Sequence, residues 1–299
     1  MRIGMFGVIA AALPLLAGLV GCASSGDLPT ARVDARAEAV TGSPLRVVTA
    51  NGHITVRPGS GDAAEIRAEI KATTPERLAA TTISTERAPD GALVIAVAWP
   101  DGVREPREGC SLDITIPPAE GVELRTSNGR ITVEGMGGAA ELSTTNGAIE
   151  VRRQRGEVRA DTRNGEVRID SPGGMVRVRS GNAAVTVKGA PAAVDVETTN
   201  GAVEVALAPQ SQGPVRVLTQ NGRIDLRLGE AFRGELALKA ANGAVKFDGV
   251  GGAQVLSSGG QAARLRFGEG GEMSIAQTSN GSIRISGGPA GGARAGIVE

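Results

Sequence analysis

The 299-residue sequence has very little aromatic material: one Trp, four Phe and no Tyr. A nucleic-acid binder of this size would be expected to carry a basic excess and aromatic rings on which bases stack. The excess is also missing, since 32 Lys and Arg balance 32 Asp and Glu. Glycan clefts built on aromatic platforms are disfavoured for the same reason. His53, Cys22 and Cys110 are too few and too scattered for a zinc site. No Walker-type phosphate loop and no G-x-S-x-G occurs, so no cofactor is expected and no nucleophile elbow is offered. Glycine, by contrast, is abundant at 44 residues. It does not fall at every third position, which excludes a collagen repeat. The hydrophobic fraction of 41% lies in regular patterns, which argues against disorder. A Gly-rich, aliphatic chain of this kind reads as a β-rich repeat protein.

Residues 1–21 read as a secretory signal, with Arg2 before an apolar stretch too interrupted by Gly and Pro14 for a spanning helix. The stretch ends in Leu19-Val20-Gly21-Cys22, which resembles the lipobox of bacterial lipoproteins. That resemblance implies cleavage before Cys22, a lipid on its thiol and a membrane partner reached through that lipid. Ala23 stands where lipoproteins retained in the inner membrane typically have Asp, so the outer membrane is the expected location. With Cys22 lipidated, Cys110 has no partner within the chain. It reads as a thiol at a strand start, with a reactive or intermolecular thiol as the other reading. Residues 22–43 are polar and small and read as a flexible tether.

The strongest signal is self-similarity. Asn-Gly recurs at Asn51, Asn128, Asn146, Asn164, Asn200, Asn221, Asn242 and Asn280, with Gly181-Asn182 and Gly259-Gly260 as degenerate members. From Asn128 the steps are 18, 18, 18, 18, 21, 21, 18 and 20 residues. Each repeat reads Thr-x-Asn-Gly-x-apolar-x-apolar, alternating with the period of a strand. The apolar columns run from Ile131 and Val133 to Ile283 and Ile285, and include Leu265 and Phe267. A second alternating strand precedes each turn, as at Val176 and Val178.

Two architectures fit: an antiparallel meander of Asn-Gly hairpins, or a β-solenoid with one repeat per coil. The outward position after the second apolar column reads Glu134, Arg152, Asp170, Lys188. Alternating signs suit residues stacked about 4.8 Å apart, where like charges would repel. This favours an all-β, parallel β-helix-like solenoid of 18–21-residue coils over residues 119–288. Asn128, Asn146, Asn164, Asn182, Asn200, Asn221, Asn242 and Asn280 would then form a turn ladder of stacked amides. Asn and Gly would supply positive φ at these corners, and the Thr two positions earlier would bond its neighbours.

Residues 44–118 read as an irregular, strand-rich N-terminal cap, with strands near 45–49, 53–57, 63–72, 93–99 and 112–116. The segment 75–85 could be a short helix, although Thr81, Thr82 and Ile83 argue for strand. Trp99 is expected to plug the end of the stack. Residues 289–299 read as a disordered tail.

The repeated T-x-N-G-x-[IV]-x-[VILF], the Leu112-Asp113-Ile114-Thr115-Ile116-Pro117 stretch and the Gly121-Val122-Glu123-Leu124 stretch resemble a bacterial envelope family of β-strand-repeat proteins. Its members are catalogued as "putative adhesins", and the resemblance spans about 44–288. It implies a solenoid-like fold on the envelope and supplies no catalytic residues.

The expected role is therefore a lipid-anchored, non-enzymatic scaffold or adhesion module that meets an envelope glycan or protein. Arg152, Arg153, Arg155, Arg159, Arg163 and Arg168 form a local basic cluster that could contact a polyanion, or could be solvated face charge offset by nearby acids. A polysaccharide-active β-helix enzyme is the alternative, with Asp161, Asp170, Asp195 and Asp225 as carboxylates, although they share no column. Accessory envelope-stress sensing is a third reading. His53 reads as an exposed turn residue rather than a catalytic base. The turns lack the regular Asp of calcium-binding β-rolls.

Overall fold

The computed structural model describes residues 27–289. The signal segment, Cys22, Ala23 and the tail from residue 290 lie outside the described residues. The first strands are β1 (Thr30–Glu38), β2 (Leu45–Val48), β3 (Ile54–Pro58) and β4 (Ala63–Lys71). A one-and-a-half-turn helix α1 (Pro75–Ala80) leads to β5 (Thr82–Arg87), β6 (Leu93–Ala98) and β7 (Gly109–Ile116). The repeats follow as strand pairs. They are β8 (Gly121–Arg125) with β9 (Ile131–Glu134), β10 (Ala139–Thr144) with β11 (Ile149–Arg152), and β12 (Val158–Thr162) with β13 (Val167–Asp170). Next come β14 (Val176–Ser180) with β15 (Val185–Ala190), β16 (Val194–Thr198) with β17 (Val203–Leu207), and β18 (Val215–Thr219) with β19 (Ile224–Leu228). The chain ends with β20 (Gly234–Ala240), β21 (Val245–Val250), β22 (Ala253–Gly259), β23 (Ala262–Phe267), β24 (Ser274–Thr278) and β25 (Ile283–Gly287).

These strands form two facing sheets. Sheet I has the order β1-β4-β7-β3-β9-β11-β13-β15-β17-β19-β25-β21, and sheet II the order β22-β23-β20-β24-β18-β16-β14-β12-β10-β8-β2-β6-β5. Through the repeats all neighbours are parallel and in register, for instance Ile149 beside Ile131 and Val167. The chain is a β-solenoid, and the meander is excluded there. Glu134, Arg152, Asp170 and Lys188 are consecutive Cα partners, as their alternating signs implied. Alternation buries one residue of every two, so Val, Ile, Leu and Ala from both sheets meet in a single dry core. β-branched side chains suit this two-sided packing, and the narrow gap leaves little room for rings.

Three corrections concern local structure. The stretch read as a tether contains β1, which runs antiparallel along β4 from Thr30 beside Lys71 to Glu38 beside Ala63. Its alternating Ala31, Val33, Ala35 and Ala37 are too weakly apolar to stand out, but they suffice on an edge. Second, Gly259-Gly260 is not a coil corner. β22 and β23 form an antiparallel hairpin, β23 pairs antiparallel with β20, and Leu265 and Phe267 therefore belong to an end cap. Third, the Asn-Gly corners do not use positive φ. Left-handed residues lie at the opposite corner, at Gly135, Arg153, Ser171 and Gly189. At the Asn-Gly corner glycine is needed for close approach. A Cβ on Gly165 would lie 1.6 Å from the Gly147 carbonyl oxygen, and one on Gly147 would lie 1.7 Å from that of Gly129.

Coil order departs from chain order at both ends. β6 and β7 lie outside β2 and β3, which precede them in sequence. At the other end β24 and β25 slot between β18/β19 and β20/β21. Antiparallel strands then cover most open edges: β4 and β1 outside β7, β5 outside β6, and β23 and β22 outside β20. Such covering blocks edge-to-edge association.

The N-terminal cap is pinned by one buried ion pair. Thr74 caps α1 through its hydroxyl, and Pro75 occupies the first turn. Arg77 then reaches Glu108, which is fully buried, donating from Nε at 2.7 Å and from Nη2 at 2.8 Å. The Glu105 backbone N–H also donates to Glu108, at 2.8 Å. Arg77 and the backbone N–H groups of Glu105 and Thr73 hold the Glu108 carboxyl down at about 2, against the opposing effect of burial. Trp99 follows β6, half-buried against the core. The Phe232 and Phe267 rings meet edge to face at 5.2 Å in the C-terminal cap.

Candidate functional site

The corner residues are joined into a continuous ladder. Asn128 Nδ2 donates to Asn51 Oδ1 at 2.6 Å, and Asn146, Asn164, Asn182, Asn200 and Asn221 each donate to the preceding Asn at 2.7–2.8 Å. Asn280 then donates to Asn221 at 2.6 Å, and Asn242 to Asn280 at 2.8 Å. The ladder therefore reads 221, 280, 242, following space rather than sequence. Beside it the Thr hydroxyls bond carbonyls of the neighbouring coil, for instance Thr126 to Gly52 at 3.0 Å and Thr278 to Gly222 at 2.8 Å. Ser180, in the degenerate repeat, is the exception: its buried Oγ makes no hydrogen bond. Each amide between the two ends of the ladder uses its oxygen and one N–H within the protein, so the arrangement ties coils together.

The basic cluster seen in the sequence is dispersed. Arg152 and Arg168 point out from sheet I beside Glu150 and Glu166, whereas Arg159 points out from sheet II near Glu141. Arg153 and Arg155 lie on the connection between the sheets, where Arg153 pairs with Glu134. Arg163 sits at the Asn-Gly corner. Eighteen residues make one full coil, so neighbours in sequence face different directions. The carboxylates separate for the same reason: Asp170 and Asp225 lie on sheet I, Asp161 and Asp195 on sheet II. Asp195 is bound by Arg177 and Arg216, and Asp225 by Arg223 at 3.0 Å. His53 is exposed, with Nε2 3.7 Å from Asp113. Cys110 is fully buried, and burial, with a smaller contribution from Glu69, pushes its thiol up to about 12. It is not a reactive thiol.

A different set of cations comes together on sheet I near the C-terminal end. A groove of about 700 Å³ crosses β15, β17, β19, β25 and β21. Lys188, Arg223, Arg227, Lys246 and Arg284 line it, with Glu204 and Asp225 as its acidic members. Arg227 stands between Ala206 and Ser286 as Cα partners, so it has no charged neighbour in its column. No sequence pattern marks this groove, because Arg284 reaches it only through the insertion of β25. Among the described residues no group of three or more His, Cys, Asp or Glu could hold a metal ion, and no helix is long and apolar enough to cross a membrane.

No curated protein matches the sequence. Among solved structures, the chain is similar to a "putative adhesin" from Bacteroides fragilis, at 10% identity and TM-score 0.46, over 86% of this chain and 96% of that one. It is also similar to a "putative adhesin" from Parabacteroides merdae, at 8% identity and TM-score 0.36, over 87% and 97%. A "putative cell adhesion protein" from Clostridium sporogenes matches at 12% identity and TM-score 0.22, over 86% and 99%. Residues 112–267, from the strand that closes the N-terminal cap to the end of the capping hairpin, match the model of the domain of unknown function DUF7330, and the chain belongs to that family.

Proposed function

We propose that this protein is a lipid-anchored scaffold or adhesion module of the bacterial envelope, without enzymatic activity of its own. The observation that carries this reading is the unbroken Asn ladder from Asn51 to Asn242. It commits the recurring polar side chains to stiffening a rod, which leaves two long faces as the surface offered to partners. The Leu19-Val20-Gly21-Cys22 motif supports attachment through Cys22, with the solenoid facing the periplasm or the cell surface from the outer membrane. The candidate carboxylates on each face are strands apart, Asp170 on β13 from Asp225 on β19 and Asp161 on β12 from Asp195 on β16, and Asp195 and Asp225 are held by arginines, whereas such chemistry requires two carboxylates on the same substrate bond.

Fractionation of cells expressing the Cys22→Ser protein tests the anchor. The expected result is release from the membrane fraction, and unchanged retention would count against lipidation. Incubation of the released protein with envelopes from cells lacking it tests the module. Saturable retention is expected, and no retention, or cleavage of acidic glycans by the purified protein, would defeat the reading.

A further inference from the structure

The sheet I groove contains an electrostatic conflict that the rest of the stack avoids. Lys246 and Arg284 are Cα partners on adjacent parallel strands, where like charges repel, while Asp225, the partner of Arg284 on its other side, is held by Arg223 instead. Other like-charge neighbours in the stack are each relieved by ion pairs. Glu123 and Glu141 are bound by Arg46 and Arg159, Arg177 beside Arg159 is bound by Asp195, and Glu204 and Asp225 are bound by Lys188 and Arg223. Lys246, Arg284 and Arg227 take part in no ion pair among the described side chains. Three unpaired cations thus face one open groove, flanked by the hydroxyls of Ser282 and Ser286.

We propose that this groove binds an acidic polysaccharide, with carboxylates of the polymer bridging Lys246 and Arg284 and reaching Arg227. The inference rests on the interaction-module reading and names the ligand class of its surface. Guanidinium groups grip carboxylates through paired N–H donors, and the serines suit sugar hydroxyls. The groove runs across five strands, with Lys188 and Arg227 on one outward row and Lys246 and Arg284 on another two residues away, so it offers several cations to a polymer that repeats its charges. Among the described residues no exposed aromatic is present for base stacking. None of the exposed large hydrophobics, Val40, Val48, Val103, Val255, Leu256 and Met273, lies in it, which argues against insertion into lipid.

The test is titration of the full-length protein in mild detergent with polygalacturonate, with dextran and inorganic polyphosphate as comparison polymers. Polygalacturonate is expected to bind, more weakly as salt screens the charges, and dextran is not. The double variant Arg284→Gln/Lys246→Gln should weaken binding roughly tenfold or more. Arg36→Gln/Arg67→Gln, which removes the same charge at the opposite end of sheet I, should leave it unchanged. Equal loss in both double variants would overturn the site, and tighter binding of polyphosphate would overturn the ligand class. Lys246→Glu should abolish binding yet raise Tm by about 1–3 °C, by turning a repulsive pair into an attractive one. A lower Tm would overturn the conflict on which the proposal stands. If envelopes retain the groove variant as well as the parent, the groove assignment fails while the module reading survives. If they retain neither, the module reading itself fails.

Discussion

The middle of the stack and its two ends are built on different rules. From β8 to β19 each coil lies on the one before it in sequence, in register, with Asn, Thr and Gly repeated at the same corner. At the ends the chain overshoots, builds an outer coil, and turns back. At the N-terminus it runs through β4, α1 and β5 before returning, and at the C-terminus it adds the β22–β23 hairpin before filling the gap it left. A repeat stabilises its neighbours by interchangeable contacts, so a stack of identical coils has no means of stopping. The ends supply one with elements that are not interchangeable: antiparallel strands, a buried ion pair and the Phe232–Phe267 contact.

The largest test of this contrast is at glycine. Gly165→Ala would drive a methyl into the Gly147 carbonyl in the middle of the stack, at an expected cost on the order of 4 kcal/mol or more, or outright failure to fold. Gly260→Ala, at the hairpin tip where nothing lies within 4 Å, should be nearly neutral by urea denaturation. Equal effects would dissolve the distinction between corner and cap.

Next is the ion pair of the N-terminal cap. Glu108→Gln removes the buried charge that Arg77 grips and leaves it only Glu105 at 3.4 Å, and should cost about 3 kcal/mol. In the parent the Glu108 carboxyl is lowered from 4.5 to about 2. Its contribution is therefore complete above the unfolded value and is lost as pH falls through about 2. Acid melts of parent and variant should converge over that window, and parallel curves would assign the acid sensitivity elsewhere.

The Asn ladder allows a finer comparison. Asn164→Ala removes two amide bonds and should cost about 1–3 kcal/mol, while Asn242→Ala at the terminal rung removes one and should cost about 0.5–1.5 kcal/mol. Thermal melts that rank them the other way would mean the rungs are not equivalent. The smallest perturbation tests coil order itself. A Cys pair at Thr132 and Glu150, Cα partners, should oxidise to a disulfide with little change in stability. A pair at Asp225 and Arg284 should do the same across the inserted coil, whereas Asp225 with Lys246 should not. Crosslinking of the last pair alone would restore a simple sequential stack.

Much of the middle could be read directly from residues. The Asn column, the two apolar columns and the alternating Glu134, Arg152, Asp170 and Lys188 are periodic signals, and each maps onto one geometric line. The glycine is visible but ambiguous, because close approach and positive φ leave the same residue in the sequence. β1 was hidden because alternating alanines carry little hydrophobic contrast. The Arg77–Glu108 pair gave no signal, being two single charges 31 residues apart. The basic groove was invisible in a stronger sense, since the clustered arginines of 152–168 drew attention to a stretch that the coil then wraps around both faces.

The sequence alone determined that this chain is a repeating all-β protein, because a two-residue alternation broken at fixed corners is the period of strands, and the alternating outward charges favoured stacked coils over a meander. It also determined that the interior would be aliphatic, since narrow coils have little room for rings. Tertiary structure decided which copy stacks on which. The repeats present nearly identical edges to one another, so the repeat pattern does not say whether the Asn280 coil lies between Asn221 and Asn242 or after them. The fold places β25 between β19 and β21, and with it Arg284 beside Lys246.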